Sequence, residues 1–202
     1  MGKTTLIDLL KTDKTVFSFK DILLASGENN PALLRQRLYY YVKKGYLYPL
    51  RRGLYAKDKN YNRLELATKI FTPSYVSFET VLAEAGVVFQ LYGQIFLASY
   101  QTKEVVCDGQ VYSFKKIKDS VLTSHAGIEN KANEWIASRE RAFLDTIYLN
   151  KEYHFDNLKP LDWDKIFELL AMYDNKRMAK KVSAYYDDIR NSDTQKYSDS
   201  DS

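Results

Sequence analysis

The chain has 202 residues, of which 45% are hydrophobic, which is enough for one large domain or for a small domain joined to a larger one. Its single cysteine, Cys107, excludes an intramolecular disulfide, and its place after two valines predicts a packed strand residue. No signal-peptide pattern and no membrane-spanning apolar run is present in the sequence, so we expect a cytoplasmic protein with no membrane attachment.

The charge is unevenly distributed along the chain. Residues 1–60 contain 12 lysines and arginines against 5 acidic residues, a net charge of +7, whereas the remaining residues carry 18 against 21, a net charge of −3. A basic first part joined to a mildly acidic remainder suggests that the first part meets a polyanion. A lysine-rich surface that is merely solvated is the alternative.

Two short helices are predicted near the N-terminus. Residues 3–12 place several leucines and an isoleucine on one broad apolar face. Residues 16–25 are interpreted as the second helix, with Ser18 as its candidate N-cap and Gly27 as its stop.

A third helix is the best-marked element of the sequence. Asn30 is a good N-cap, Pro31 suits the first helical position, and Gly45 ends the pattern. The apolar residues that recur at helical spacing, and define its buried stripe, are Leu34, Leu38, Tyr41 and Val42. The opposite face, which we expect to be exposed and basic, carries Ala32, Arg35, Gln36, Tyr39 and Lys43.

A basic hairpin is predicted after the third helix. Residues 46–50 and 53–56 are typical of two short strands around the turn Arg51-Arg52-Gly53, and Pro49 confines the first of them to a sheet edge. Three helices followed by a basic hairpin is the layout of a winged helix-turn-helix. Residues 1–60 are therefore predicted to be a winged helix-turn-helix DNA-binding domain.

The rest of the chain predicts a mixed α/β domain over residues 61–190. Its predicted strands lie at residues 94–100, 103–107, 110–115 and 133–137, and its predicted helices at 63–71, 77–85, 139–150, 162–173 and 176–189. Asp108-Gly109 between two of the strands is a strong hairpin signal. The Ser- and Asp-rich tail, residues 191–202, is expected to be disordered. The fold class predicted for the whole chain is α+β.

The basic helix face and the hairpin turn together predict a DNA-binding surface. Arg35 can read guanine bidentately and Gln36 can read adenine, because the N-terminal side chains of a helix in the major groove reach base edges. Tyr39 offers hydrogen-bonding and stacking contacts beside them. Phosphate contacts are expected from Lys43, Lys44, Arg51 and Arg52. A winged-helix domain that contacts protein or RNA is the alternative.

Catalytic patterns are scarce in the sequence. His125 and His154 have no Cys or His partner at metal-ligand spacing. The pair Asp162 and Asp164 lies at a predicted helix start, where acidic side chains complement the helix dipole. We therefore predict no catalytic residues, no metal site and no cofactor, and the chain is not expected to be an enzyme.

Three stretches in this order resemble the AbiEi-like antitoxins of type IV toxin–antitoxin systems, which act in abortive infection. They are Arg51-Arg52-Gly53-Leu54-Tyr55, the segment Pro73-Ser74-Tyr75-Val76-Ser77-Phe78-Glu79-Thr80-Val81-Leu82 followed by Gly86, and Ser138-Arg139-Glu140-Arg141-Ala142-Phe143-Leu144-Asp145. The resemblance extends over roughly residues 15–190. Within it, Ser77 is a candidate helix cap, and Asp145 is a candidate partner for Arg141 one helical turn earlier.

The resemblance implies a bacterial transcriptional repressor that binds inverted repeats of duplex DNA in its own promoter. It also implies that the second domain neutralises a nucleotidyltransferase toxin encoded alongside, without the need for a stable complex between the two proteins. The alternative function is a non-catalytic adaptor, in which the winged helix is a protein-interaction surface.

Overall fold

The computed structural model describes the backbone of residues 6–198 and the side chains of residues 8–191. The described chain is a mixed α+β protein with one three-stranded and one six-stranded sheet. The elements of its first part are α1 (Leu6–Leu10), β1 (Val16–Ser18), α2 (Phe19–Ser26), α3 (Pro31–Lys43), β2 (Tyr48–Arg51) and β3 (Leu54–Ala56).

The small sheet has the strand order β1-β3-β2, with both pairings antiparallel. Ala56 at the end of β3 lies opposite both Val16 and Tyr48, so β3 is the central strand. Pro49 therefore lies on an edge strand, as predicted, where its missing N–H costs no ladder hydrogen bond.

Strand β1 corrects the predicted second helix. Residues 16–25 were expected to be helical, but Val16, Phe17 and Ser18 form a strand and α2 begins only at Phe19. The predicted N-cap is right: Ser18 Oγ accepts from the Asp21 N–H, and the Asp21 carboxylate accepts from the Ser18 N–H. This reciprocal capping box fixes the start of the helix, so the residues before it are free to pair with β3.

The remaining elements surround the large sheet. They are α4 (Arg63–Ile70), β4 (Ser74–Val76), α5 (Glu79–Glu84), β5 (Gln94–Ser99), β6 (Lys103–Cys107), β7 (Gln110–Lys116), α6 (Asp119–Leu122), β8 (Ile128–Lys131), β9 (Glu134–Ala137), α7 (Arg139–Leu149), α8 (Trp163–Leu170), a 3-10 turn (Ala171–Tyr173) and α9 (Lys176–Ser198). The strand order is β6-β7-β5-β4-β9-β8, in which β4–β9 and β5–β7 are the parallel pairs.

Most of these elements lie where the sequence predicts them, with some differences. The Asp108-Gly109 hairpin turn is confirmed, and both of its residues have positive φ, as a tight two-residue turn requires. Strands β4 and β8 and the short helix α6 were not predicted. Helix α9 continues to Ser198, into the segment expected to be disordered, because each residue added to an existing helix gains a backbone hydrogen bond. Residues 1–5 and 199–202 of the predicted first domain and tail lie outside the described residues.

Buried apolar side chains form two clusters. The smaller one lies between the N-terminal helices and the small sheet and is made of Leu9, Phe17, Ile22, Leu34, Leu38 and Leu47. The larger one fills the interior around the six-stranded sheet, yet it also contains Val16, Leu54 and Ala56 of the small sheet. The small sheet is therefore packed between the two clusters.

Polar contacts join the small sheet to the rest of the chain. The buried Glu65 carboxylate on α4 accepts from the Thr15 N–H at 2.8 Å, the Thr15 hydroxyl at 2.7 Å and the Val16 N–H at 3.2 Å. At the opposite edge, Asp108 accepts from the hydroxyls of Tyr48 and Tyr61. The contacts of Glu65 satisfy groups that burial removes from water, whereas Asp108 lies at the surface and its bond to Tyr48 is exposed.

A fully buried ion pair lies under the large sheet. Arg141 Nε is 3.3 Å from Asp145 Oδ1 on the same helix, which confirms the predicted pairing. Asp145 also accepts from the hydroxyls of Tyr173 at 2.6 Å, Ser77 at 2.8 Å and Tyr75 at 3.0 Å. Burial and the Asp145 carboxylate raise the pKa of Tyr75 and Tyr173 well above their ordinary value, so both phenols stay protonated and donate.

The prediction that Ser77 caps a helix is wrong. Helix α5 begins at Glu79, and its N-cap position is Phe78, which makes no side-chain capping bond. Ser77 is instead turned towards Asp145, where its hydroxyl is one of the donors that satisfy the buried carboxylate.

Gly127 lies next to the ion pair, and its replacement by alanine is expected to lower the stability of the protein. Its φ is +69°, and an added Cβ would lie 3.0 Å from both Arg141 Cβ and Leu169 Cδ1. We expect Gly127→Ala to destabilise the protein by about 3 kcal/mol, since backbone strain of about 1 kcal/mol adds to overpacking of the core. Gly109→Ala is the matched control: its φ is +75°, but nothing lies within 4 Å of the added Cβ, so only the strain remains. Urea unfolding measures both, and equal losses would contradict the steric argument.

Candidate nucleic-acid interface

The exposed face of α3 carries the predicted base-reading residues. The helix starts as predicted, with Asn30 Oδ1 accepting from the Ala32 and Leu33 N–H groups and Pro31 in the first turn. Leu34 and Leu38 are buried, which turns the opposite face outwards. The side chains that lie on this outward face, all of them exposed, are Arg35, Gln36, Tyr39 and Lys43. The side chain of Tyr39 is 71% exposed, so Tyr39 does not contribute to the hydrophobic core.

Phe19 connects this helix face to the hairpin turn. The Arg35 guanidinium lies 5.1 Å from the centre of the Phe19 ring, and the Phe19 N–H donates to the Gly53 carbonyl at 2.8 Å. A cation held over an aromatic face loses part of its conformational freedom. Arg35 and the turn that contains Arg51 and Arg52 are therefore held on either side of one residue of α2.

The hairpin turn is exposed and supported from behind. Arg51 ends β2, Arg52 follows it, and both side chains are exposed. Behind them the Cys107 thiol donates to the Leu50 carbonyl at 3.3 Å. Burial raises the pKa of this thiol and the nearby Arg51 only partly offsets the increase, so Cys107 remains a protonated, packed strand residue, as predicted.

Hydrogen bonds that Asp108 accepts from two tyrosines hold the same hairpin in place. The Tyr48 hydroxyl donates to Asp108 Oδ1 at 3.2 Å, and this hydrogen bond together with the charge of the carboxylate raises the pKa of Tyr48. Burial and the second oxygen of Asp108 raise the pKa of Tyr61 to about 12. Both phenols thus stay protonated, and the hairpin is held against the β6–β7 turn at ordinary pH.

Lys43 and Lys44 lie at the other end of α3. Eight residues of helix separate Arg35 from Lys43, a distance of roughly 12 Å at 1.5 Å per residue. Lys43 is in the last helical turn and Lys44 is the C-cap residue, and both are exposed. The predicted site is thus an extended basic strip along the helix, with the hairpin turn close to its N-terminal half.

Two exposed residues of α3, Tyr40 and Arg37, were not predicted as site residues. The Tyr40 ring lies with its centre 5.7 Å from the Lys44 ammonium, and this contact orients Lys44. Arg37 is paired with Glu28 at 3.0 Å, so its charge is partly neutralised. The tyrosine run at residues 39–41 was a signal for Tyr40, whereas the Arg37 pairing depends on a loop whose path the sequence does not reveal.

The capping box of α2 lies at the edge of the same surface. Burial raises the pKa of Asp21, but the hydrogen bonds from Ser18 and the charge of Lys69 outweigh it and leave the pKa below its ordinary value. The carboxylate is therefore charged at neutral pH and keeps the N-terminus of α2, with Phe19, in position.

Three further observations concern metal binding, membrane-spanning helices and a predicted helix cap. Within residues 6–198, no group of three or more His, Cys, Asp or Glu side chains is arranged to hold a metal ion. Over the same residues, every helix is too short or too polar to cross a bilayer. Asp162, at the start of α8, accepts from the Lys165 N–H, which confirms its predicted capping role.

Comparison of the chain with models of known protein families and with curated protein sequences finds no match.

Proposed function

We propose that the protein is a sequence-specific DNA-binding transcriptional repressor of the winged helix-turn-helix type. The observation that carries this proposal is the position of Phe19, which joins the exposed basic face of α3 to the exposed Arg51-Arg52 turn. These two elements are the ones that a winged helix presents to a DNA duplex, and both are basic.

The order of the elements also favours a winged helix. Helix, strand, two helices and a hairpin follow one another, and the first strand pairs with the last to give the order β1-β3-β2. In this arrangement α3 is the recognition helix and β2–β3 is the wing. The buried side of α3 packs on the smaller cluster, which leaves its basic face for the major groove.

The residues of the surface have different roles in this proposal. Gln36 and Arg35 face base edges in the first half of α3, where adenine and guanine offer matching bidentate patterns. The exposed cations Lys43, Lys44, Arg51 and Arg52 contact phosphates and set the register without reading sequence.

We further propose that the repressor is the antitoxin of a type IV system, acting against a nucleotidyltransferase toxin and on its own operon. The support for this step is the resemblance to AbiEi-like antitoxins. Several residues of the resembling stretches, among them Ser77, Arg141 and Asp145, meet in the buried ion-pair network. These residues belong to the core, so toxin neutralisation would use other residues, exposed on the surface of the predicted second domain, residues 61–190.

The deciding experiment is a mobility-shift titration of the purified full chain against its own upstream DNA at two salt concentrations. An unrelated duplex of equal length is the control. We expect preferential binding to the upstream DNA, with an affinity that falls steeply with salt, because each neutralised phosphate releases counterions. Equal or absent binding to both duplexes at low salt would overturn the repressor function.

Gln36→Ala is expected to relax specificity rather than abolish binding. Loss of one bidentate base contact removes about 1–3 kcal/mol of discrimination at one base pair, while the phosphate contacts remain. The measurement is a competition titration with operator duplexes that carry single base changes. Gln90→Ala is the matched control, since Gln90 is an exposed glutamine far along the chain from α3. Uniform weakening on every duplex would contradict a base-reading role for Gln36.

A non-catalytic adaptor is the second candidate function, and the loop between α5 and β5 favours it. Phe89 is 67% exposed and Leu91 is 89% exposed, and exposed apolar side chains this close together are typical of protein contacts. A stoichiometric complex with a protein partner, combined with no measurable DNA affinity, would support the adaptor.

A further inference from the structure

A cavity of about 450 Å³ lies between α2, the end of α4 and the β8–β9 hairpin. This volume falls within the range of roughly 300–1,000 Å³ that is usual for small-molecule sites. Its wall is formed by the start of α2, by α4 and the residues that follow it, and by the segment from α6 to β9. The cavity is therefore a partly open cleft, bordered by α2 on one side and by segments of the large sheet and its flanking helices on the other.

One end of the cavity presents an aromatic surface. Trp135 and His125 line it with their ring centres 5.7 Å apart, and Trp135 remains 41% exposed. Strand alternation explains the exposure: Glu134 is buried on one face of β9, so its neighbour Trp135 points to the other. A tryptophan face left open beside an imidazole is suited to stack against a planar ring.

Two lysines line the cavity near α2. Lys69 lies 3.5 Å from the carboxylate of Asp21, which also accepts a hydrogen bond from the Ser18 N–H. One carboxylate carries one negative charge, so Asp21 neutralises only one of the two lysines that line the cavity. Lys20 is exposed, and within the described part of the chain it has no carboxylate within 4.0 Å. The α2 side of the cavity thus has a surplus of positive charge.

Asn133 adds a hydrogen-bonding side chain to the lining of the same cavity. It occupies the β8–β9 turn with φ +68° and lines the cavity. Its amide offers both donors and an acceptor, the combination that recognises the edge of a heterocyclic ring.

We propose that this cavity binds a small planar aromatic anion of the nucleoside monophosphate class. The base stacks on Trp135 and His125, Asn133 bonds its edge, and Lys20 and Lys69 hold the phosphate. The site is separate from the DNA face, but it is next to it in the chain, because Lys20 directly follows Phe19. A bound ligand would therefore brace the helix that positions Arg35 and the hairpin turn.

Tryptophan fluorescence of the full chain tests this site directly and without DNA. The chain has two tryptophans, so Trp163→Phe leaves Trp135 as the reporter. AMP and GMP are the probes, and adenosine and inorganic phosphate are the partial ligands. We expect saturable quenching by at least one monophosphate, with each partial ligand binding at least fivefold more weakly, since each lacks one of the two recognised groups. Adenosine binding as tightly as AMP, with no effect of added phosphate, would overturn the assignment.

Variants of the lining residues complete the test, with calorimetry as the readout. Lys20→Ala and Lys69→Ala are expected to raise the Kd of the monophosphate at least fivefold, and Trp135→Leu to raise it similarly. Lys159→Ala, which changes an exposed lysine outside the cavity, is the control and should leave the Kd unchanged. Lys20 is exposed, so its variant stays informative even if Trp135→Leu does not fold. No saturable binding of AMP or GMP at millimolar concentration, or a Kd that none of these variants changes, would overturn the proposal.

Discussion

Reversal of both charges at the hairpin turn, Arg51→Glu with Arg52→Glu, is expected to weaken binding to every duplex by roughly a hundredfold. A hydrogen bond to a charged group contributes about 1.5 kcal/mol or more, and loss of two such contacts corresponds to about two orders of magnitude in Kd. Both side chains are exposed, so the folded structure should persist. The slope of log affinity against log salt should also become shallower by about 2, one for each lost phosphate contact.

The matched control reverses two lysines on the large sheet. Lys103 on β6 and Lys116 on β7 are both exposed, so Lys103→Glu with Lys116→Glu changes the net charge by the same amount away from α3. We expect this control to bind nearly as well as the wild type, with an unchanged salt slope. Wild-type affinity in the arginine double variant would show that the hairpin does not contact DNA.

Arg141→Met is expected to be the most destabilising substitution of a charged residue in the described chain. It leaves the Asp145 carboxylate buried without its cation, which costs about 3–5 kcal/mol, a large share of the stability of a typical domain. Two further acceptors lose a donor, because Arg141 Nη2 donates to the Val121 carbonyl and Nη1 to the Ala126 carbonyl, each at 2.7 Å. Urea unfolding followed by circular dichroism measures the loss.

A milder variant keeps this prediction testable if Arg141→Met does not fold. Tyr173→Phe removes only the hydroxyl that donates to Asp145 at 2.6 Å, and we expect it to cost about 1–3 kcal/mol. Lys131→Met is the matched control, since its pair with Glu129 is exposed to solvent, which screens the attraction, so its loss should leave the stability nearly unchanged. Equal, small losses in all three variants would mean that the buried network does not stabilise the fold.

Long helices and tight turns could be predicted from the sequence, whereas short strands could not. Helix α3 was predicted because Asn30, Pro31 and the spacing of Leu34 and Leu38 are local signals. The turn between β6 and β7 was predicted because Asp108-Gly109 is a turn signal that needs no information from the rest of the chain. Strand β1 has three residues, and its partner β3 begins at Leu54, so no local pattern distinguishes it from the start of a helix. Strand β4 was missed for the same reason: its three residues are all buried, so the alternation that marks a half-exposed strand is absent.

The sequence predicted which residues form the candidate DNA surface, but not the contacts that hold its two parts together. Exposure of Arg35, Gln36, Tyr39 and Lys43 follows from helical periodicity alone. The contact of Phe19 with both Arg35 and Gly53 depends on how α2 packs against α3 and the hairpin, which residue spacing does not encode. The cavity beside Trp135 was not predicted, because its walls come from three stretches that are distant in sequence.

The packing of the small sheet between two clusters limits how the protein can be divided. Val16, Leu54 and Ala56 pack into the larger cluster, and Glu65 supplies the acceptor for the backbone at Thr15 and Val16. A fragment that stops at residue 60 would expose these apolar side chains to water and remove that acceptor. The part of the chain before residue 61 is therefore not a separable unit: if it were transplanted onto another protein, α4 and part of the large sheet would have to accompany it.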